Sequence, residues 1–223
     1  MWIIQAVRSG DYMTLLIGLA VRALLVFGIM PIHEYAHGWA ASRLGDPTAL
    51  RSGRNTFNPA AHIDPMGALC IVLFGFGWAK PVPVNPLYFR HRKRDMALTA
   101  AAGPASNLLV ALISALVYNI LYLAGVRSDA AALVFYYLIT LNVSLAVFNL
   151  LPIPPLDGAR IFAWVLPERF SRWVARYERI IMIVLMVAVF SGRLDFVLSA
   201  LNRWAFQGIM AAAGAPFRLF GLL

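Results

Sequence analysis

Residues 13–44 read MTLLIGLAVRALLVFGIMPIHEYAHGWAASRL, and ahead of His33 the only charged side chain in that run is Arg22. A helix needs about 20 mostly apolar residues to cross a bilayer, so this stretch reads as a transmembrane helix with a polar motif toward its far end. Three further runs meet the same requirement, at 96–125, 131–151 and 174–191. A last apolar stretch, 196–210, is interrupted by Asn202, Arg203 and Gln207. It reads as a fifth span or as a helix lying in the membrane interface, and the interface is the preferred reading. The expected fold is an all-α, multi-pass membrane protein of four transmembrane helices, with residues 1–223 forming a single membrane-embedded domain.

Composition excludes the alternatives. With 61% hydrophobic and 13% charged residues and a mean hydropathy of +0.73, the chain can be neither a soluble monomer nor disordered. Cys70 is the single cysteine, so no internal disulfide or thiolate metal cluster is available. Arg8 and Asp11 precede the first run, which continues past Arg22 without a small-residue cleavage site. A removable signal peptide is therefore not expected, and the first span itself directs insertion.

The net charge of +9 is a topology signal rather than a nucleic-acid footprint, because thirteen of the nineteen Lys and Arg fall within Arg43–Arg94 and Arg160–Arg179. The positive-inside rule puts 45–95 and 152–173 in the cytoplasm, in a cell membrane, and the N-terminus outside. No aromatic and basic groove pattern accompanies the charge, so no nucleic-acid partner is expected.

Residues 45–95 are too apolar for a solvated loop. Thr48–Phe57 and Leu69–Val84 read as short strands separated by Asn58, Pro59, Asp64 and Pro65. Non-helical backbone at membrane depth must be covered by protein or line a wet cavity. The expectation is a re-entrant β element dipping from the cytoplasmic side.

The sharpest chemical signal is His33-Glu34-Tyr35-Ala36-His37. Histidines four apart share one helix face and can hold one zinc ion, while Glu34 stands where it can take a proton from water. An intramembrane Glu beside two His is costly without a metal or a partner. A catalytic zinc needs a third protein ligand, for which His62, Asp64, His91 and Asp157 are the candidates. His91 sits among Arg90, Arg92, Lys93 and Arg94, a poor setting for a cation. Asp157 is favoured, since Pro152, Pro154 and Pro155 deny the backbone a helix and Gly158 permits an unusual turn. Asp157 as N-cap of the following helix is the competing reading.

Taken together, His33-Glu34-x-x-His37, Gly103-Pro104-x-x-Asn107 and Asn149-x-x-Pro152-x-Pro154-Pro155-Leu156-Asp157-Gly158 resemble the site-2 protease family of intramembrane zinc metalloproteases over about residues 25–165. The resemblance implies Zn2+ held by His33, His37 and Asp157, with Glu34 as general base. The substrate it implies is a transmembrane segment of another protein, cut near the cytoplasmic side. It also implies that Asn149 lies by the site and helps hold substrate. No insertion long enough for a PDZ domain and no CBS domain is present in these residues. The Gly103–Asn107 stretch is expected to serve helix packing in preference to direct substrate contact, and His62 to be either structural or a weaker substrate contact. Two other classes fit less well: a non-catalytic scaffold would not need Glu34, and a transporter would need acidic residues along a path through the bilayer.

Overall fold

The computed structural model describes residues 7–74 and 77–219, and its backbone divides into two compact units, Met1–Arg90 and His91–Leu223.

In the first unit, helices α1 (Tyr12–Leu24) and α2 (Met30–Arg43) are joined by a π-helical turn over Leu25–Ile29. Pro31, in the first turn of α2, has no N–H to give the carbonyl four residues earlier, and its ring crowds that turn. The ladder relaxes by one residue, with Met30 N–H donating to the Leu25 carbonyl. Asp11 closes the start of α1 by accepting the Thr14 N–H at 3.0 Å. Tyr12–Arg43 as a whole is long and apolar enough to cross a membrane.

A short helix α3 (Thr48–Arg51) and an apolar helix α4 (Pro65–Phe74) follow. The two expected strands are therefore corrected: their described residues begin in helices, and the β pairing among the described residues is one isolated bridge, Ile63 with Ala79. Residues 75 and 76, inside the second expected strand, lie outside the described residues. An apolar run without polar interruptions has no period to separate a strand from a buried helix, and here the helix wins. Gly67 and Gly77 let the returning segment lie directly on α4. A Cβ at Gly67 would fall 2.0 Å from the Trp78 carbonyl oxygen, and one at Gly77 2.1 Å from that of Gly67.

Arg22, the one charged side chain ahead of His33 in the first apolar run, turns toward this helix. Its Nε donates to the Ile71 carbonyl and its Nη1 to the Gly18 carbonyl, both at 3.0 Å. A cation at the last turn of α4 meets the negative end of the helix dipole.

The second unit holds α5 (Arg92–Leu123), α6 (Asp129–Asn149), α7 (Asp157–Ala163), α8 (Glu168–Phe190) and α9 (Asp195–Leu219). Asp95 closes the start of α5 by accepting the His91 N–H at 2.9 Å. The core is Ala111, Ala115, Ile139, Val143 and Ala213, with Phe206, Ile209 and Met210 packed around it. Small residues let the helix backbones approach, and asparagines link them. Asn107 donates to Asn142 Oδ1 at 3.1 Å, and Asn119 to the Ala213 carbonyl at 3.1 Å. Within the Gly103–Asn107 stretch, Gly103, Pro104 and Asn107 are buried, and Asn107 links α5 to α6.

Residues 196–210 belong to a 25-residue helix docked on α5 and α6. Three helices, Tyr12–Arg43, Arg92–Leu123 and Asp129–Asn149, are long and apolar enough to cross a bilayer. Counting the pair Ser171–Phe190 and Asp195–Leu219, which meet at 82°, as one broken span makes four. The chain is a membrane protein.

Candidate metal and catalytic centre

The first unit carries the histidine pair. At 100° per residue, positions four apart on α2 lie about 40° apart, so both rings leave the same face. His33 and His37 are buried, their rings edge to face with centroids 4.6 Å apart, and their Nε2 atoms are 3.1 Å apart. Zinc–nitrogen bonds of about 2.0–2.1 Å at a tetrahedral centre place two ligand nitrogens about 3.3 Å from each other. The pair fits a shared zinc ion with a few tenths of an ångström of adjustment.

Glu34, half-buried on the next step of the same helix, accepts the Val82 N–H through Oε2 at 2.9 Å. That bond fixes one carboxylate oxygen. Val82 is itself held by stitching on both sides. Lys80 N–H donates to the His62 carbonyl at 2.8 Å, Arg54 Nη2 donates to the carbonyls of Lys80 and Pro81 at 2.8 and 3.1 Å, and Asn85 N–H donates to Asp46 Oδ2 at 2.7 Å. Asp46 is fully buried and caps Thr48 with its other oxygen. None of Val82, Arg54 and Asp46 stood out in the sequence. One signal was available: in Pro81-Val82-Pro83 only Val82 has an N–H to give.

His62 is 1% exposed, with Nε2 2.8 Å from the Thr56 carbonyl oxygen. Facing an acceptor, Nε2 carries the proton, which leaves Nδ1 an acceptor, buried and without a hydrogen-bond partner among the described residues. The ring pins its loop, and its own carbonyl receives Lys80. Asp64 is occupied as a cap, accepting the Gly67 N–H at 2.8 Å at the start of α4.

The remaining candidates lie in the second unit. His91 is exposed at the N-cap of α5. Asp157 is the first residue of α7, half-buried, and the N-cap position belongs to Leu156, with no side-chain cap bond. The N-cap reading of Asp157 is thereby corrected. Gly158 is needed for close approach rather than an unusual turn: its φ is not positive, and a Cβ there would stand 2.2 Å from the Leu151 carbonyl oxygen and 2.3 Å from that of Leu150. Asn149 ends α6 and donates Nδ2 to the Leu145 carbonyl at 3.0 Å, one turn back.

Comparison with known proteins adds descent to this geometry. The pattern of Peptidase family M50 matches residues 119–192, a segment that holds Asn149, Asp157 and Gly158. A Bacillus subtilis (strain 168) protein named "Putative zinc metalloprotease YwhC" is 39% identical over 161 residues, covering 70% of this chain and 74% of that protein. The chain belongs to peptidase family M50. Two mycobacterial relatives, both named "Putative zinc metalloprotease Rip2", are less similar. The Mycolicibacterium smegmatis protein is 31% identical over 79% of this chain and 66% of its own length. The Mycobacterium tuberculosis (H37Rv) protein is 29% identical over 85% of this chain and 76% of its own length. No solved structure matches. M50 is the site-2 protease family that the motifs resemble, so this M50 chain is a membrane-embedded peptidase.

Proposed function

We propose that this M50 peptidase is an intramembrane zinc endopeptidase that hydrolyses a peptide bond within or near a transmembrane segment of another membrane protein. The observation that carries the proposal is the buried His33 and His37 pair, Nε2 to Nε2 3.1 Å, beside a carboxylate held by a backbone amide. His33 and His37 hold the metal, and Asp157 supplies the third protein ligand, giving the three-ligand set of a catalytic zinc with one position left for chemistry. Zinc bound there supplies Lewis acidity, which lowers the pKa of a water and polarises the scissile carbonyl.

Glu34 does the proton work. Its Oε2 stays on the Val82 N–H while Oε1 accepts a proton from the attacking water and later gives it to the departing amine nitrogen. The carbon–nitrogen bond breaks as the water oxygen bonds to the carbonyl carbon, so no covalent enzyme intermediate is required. A helical substrate hides its carbonyls and must unwind locally. Asn149 and the Lys80–Asn85 segment are the groups assigned to holding the opened stretch.

The two units act as one membrane-embedded domain with four spans in a cell membrane. The charge pattern supports an active site opening to the cytoplasm. The apolar helix α4 enters and leaves from that side, its last turn tied to Arg22.

The test is cleavage of a model transmembrane peptide by reconstituted protein, with zinc measured on the same preparations. Glu34→Gln keeps an oxygen acceptor for Val82 but loses the base. Turnover should fall at least about a hundredfold with zinc content unchanged. Cleavage at the wild-type rate would end the hydrolytic mechanism and favour a scaffold.

A further inference from the structure

Arg54 is half-buried, and among the described residues no carboxylate pairs with it. Its main chain is anchored first. Gly53 turns the chain at a φ of +68°, a left-handed conformation that glycine adopts without strain, just past α3. The N–H groups of Arg54 and Asn55 then donate to the carbonyl of the fully buried Ala49 at 2.9 and 3.2 Å. From that fixed turn the guanidinium reaches a distant segment, Nη2 donating to the Lys80 carbonyl at 2.8 Å and to the Pro81 carbonyl at 3.1 Å. Its Nε is buried without a hydrogen-bond partner among the described residues. An unsatisfied N–H is a cost that a plain anchor would not need.

The second of those bonds is the informative one. The Pro81 carbonyl and the Val82 N–H are the two ends of one planar peptide unit. A cation therefore sits on its oxygen end at 3.1 Å while the Glu34 carboxylate sits on its hydrogen end at 2.9 Å. Bonds linked in this way polarise one another, so the guanidinium strengthens the hold of Val82 on Glu34. Neither Pro81 nor Pro83 has an N–H, which leaves no neighbouring donor to replace Val82. Helix α2 offers the matching surface, because Glu34 and Gly38 lie one turn apart on one face. Val82 Cγ1 fills that face, 3.2 Å from where a Cβ on Gly38 would stand.

We propose that Arg54 is a positioning residue for the hydrolysis, holding the Glu34 carboxylate in place through the Pro81–Val82 peptide without touching substrate. The assignment rests on Glu34 as the base of the reaction proposed above.

The experiment compares Arg54→Gln, Glu34→Gln, the double variant and Arg51→Gln in the reconstituted full chain. Arg51, exposed three residues earlier, controls for the lost charge. On zinc-free protein, amide exchange of Val82 should quicken about tenfold in Arg54→Gln and stay within about twofold of wild type in Arg51→Gln. In the peptide assay Arg54→Gln should lower kcat about ten- to a hundredfold, with KM, zinc content and unfolding temperature close to wild type. Added to Glu34→Gln, it should slow the residual turnover by no more than about twofold, since its route of action is already gone. If Arg54→Gln does not fold, Arg54→Lys, with a cationic donor on a shorter stem, should show the same pattern with a loss of about three- to tenfold. A kcat within about twofold of wild type, a loss confined to KM, unchanged exchange at Val82, or full additivity with Glu34→Gln would each overturn the role of Arg54 while leaving Glu34 as base. Wild-type turnover in Glu34→Gln would instead end both.

Discussion

Replacing Arg22 with Met tests the tie between α1 and α4. The substitution removes the Nε bond to Ile71 and the Nη1 bond to Gly18. Gly18 lies one turn back in the same helix, so its carbonyl keeps the backbone donor of residue 22 and that loss is minor. The Ile71 bond crosses between helices and joins a charged donor to a carbonyl at the negative end of α4, a combination that contributes about 1.5–3 kcal/mol. Burying a guanidinium in the membrane is itself costly. When α4 opens locally, however, Arg22 stays within α1, so most of that cost is common to the closed and open states and drops out. The expected weakening is about 2 kcal/mol of local opening free energy, or roughly a 25- to 30-fold loss of amide protection. Hydrogen exchange with mass spectrometry on peptides covering residues 65–74 reads it directly, with peptides from α5 and α6 as internal controls. Protection of α4 within about twofold of wild type would refute the reasoning, because the guanidinium would then contribute nothing that water or lipid does not.

Other expected outcomes are as specific. In Gly38→Ala the new Cβ would stand 2.9 Å from Asn55 Oδ1 and 3.2 Å from Val82 Cγ1; the displaced Val82 amide should lower turnover with zinc retained, at a stability cost of about 1–3 kcal/mol in thermal unfolding. Asp157→Ala should release zinc on dialysis and abolish cleavage, and full metal occupancy by elemental analysis would remove Asp157 from the ligand set. Reporter fusions after Arg94 and Arg169 should read cytoplasm and one at Ser128 should read outside; the reverse pattern would overturn the orientation. Bonds from the Thr14 hydroxyl and then its N–H hold the Asp11 carboxyl below the ordinary carboxylate range. A depressed acid contributes its stabilisation above its unfolded value and loses it as pH falls through the folded one. The start of α1 should therefore stay capped through the ordinary carboxylate range and fray only in stronger acid, which NMR titration of Asp11 would track.

The spans and the histidine pair were legible in the sequence because both follow from rules local along the chain. Bilayer thickness sets how long an apolar run must be, and 3.6 residues per turn puts His33 and His37 on one face whatever surrounds them. The π-turn was half legible, since Pro31 must disturb the ladder, but which way the helix yields depends on what packs there. Residues 48–84 were misread for a physical reason: an apolar segment with Ile71 and Val72 suits a strand or a helix equally, and the decision came from Gly67 and Gly77 allowing a return path directly on α4. Arg22 met Ile71, 49 positions away, and Glu34 met Val82, 48 positions away. Nothing in the local pattern encodes such pairings, because a hydrogen bond between distant residues forms only after the chain has folded and water has left. The sequence by itself determined that apolar runs long enough to cross a bilayer are present and that two histidines share one helix face with a carboxylate beside them. Which amide holds that carboxylate, and which carbonyl receives the Arg22 guanidinium, only tertiary packing decided.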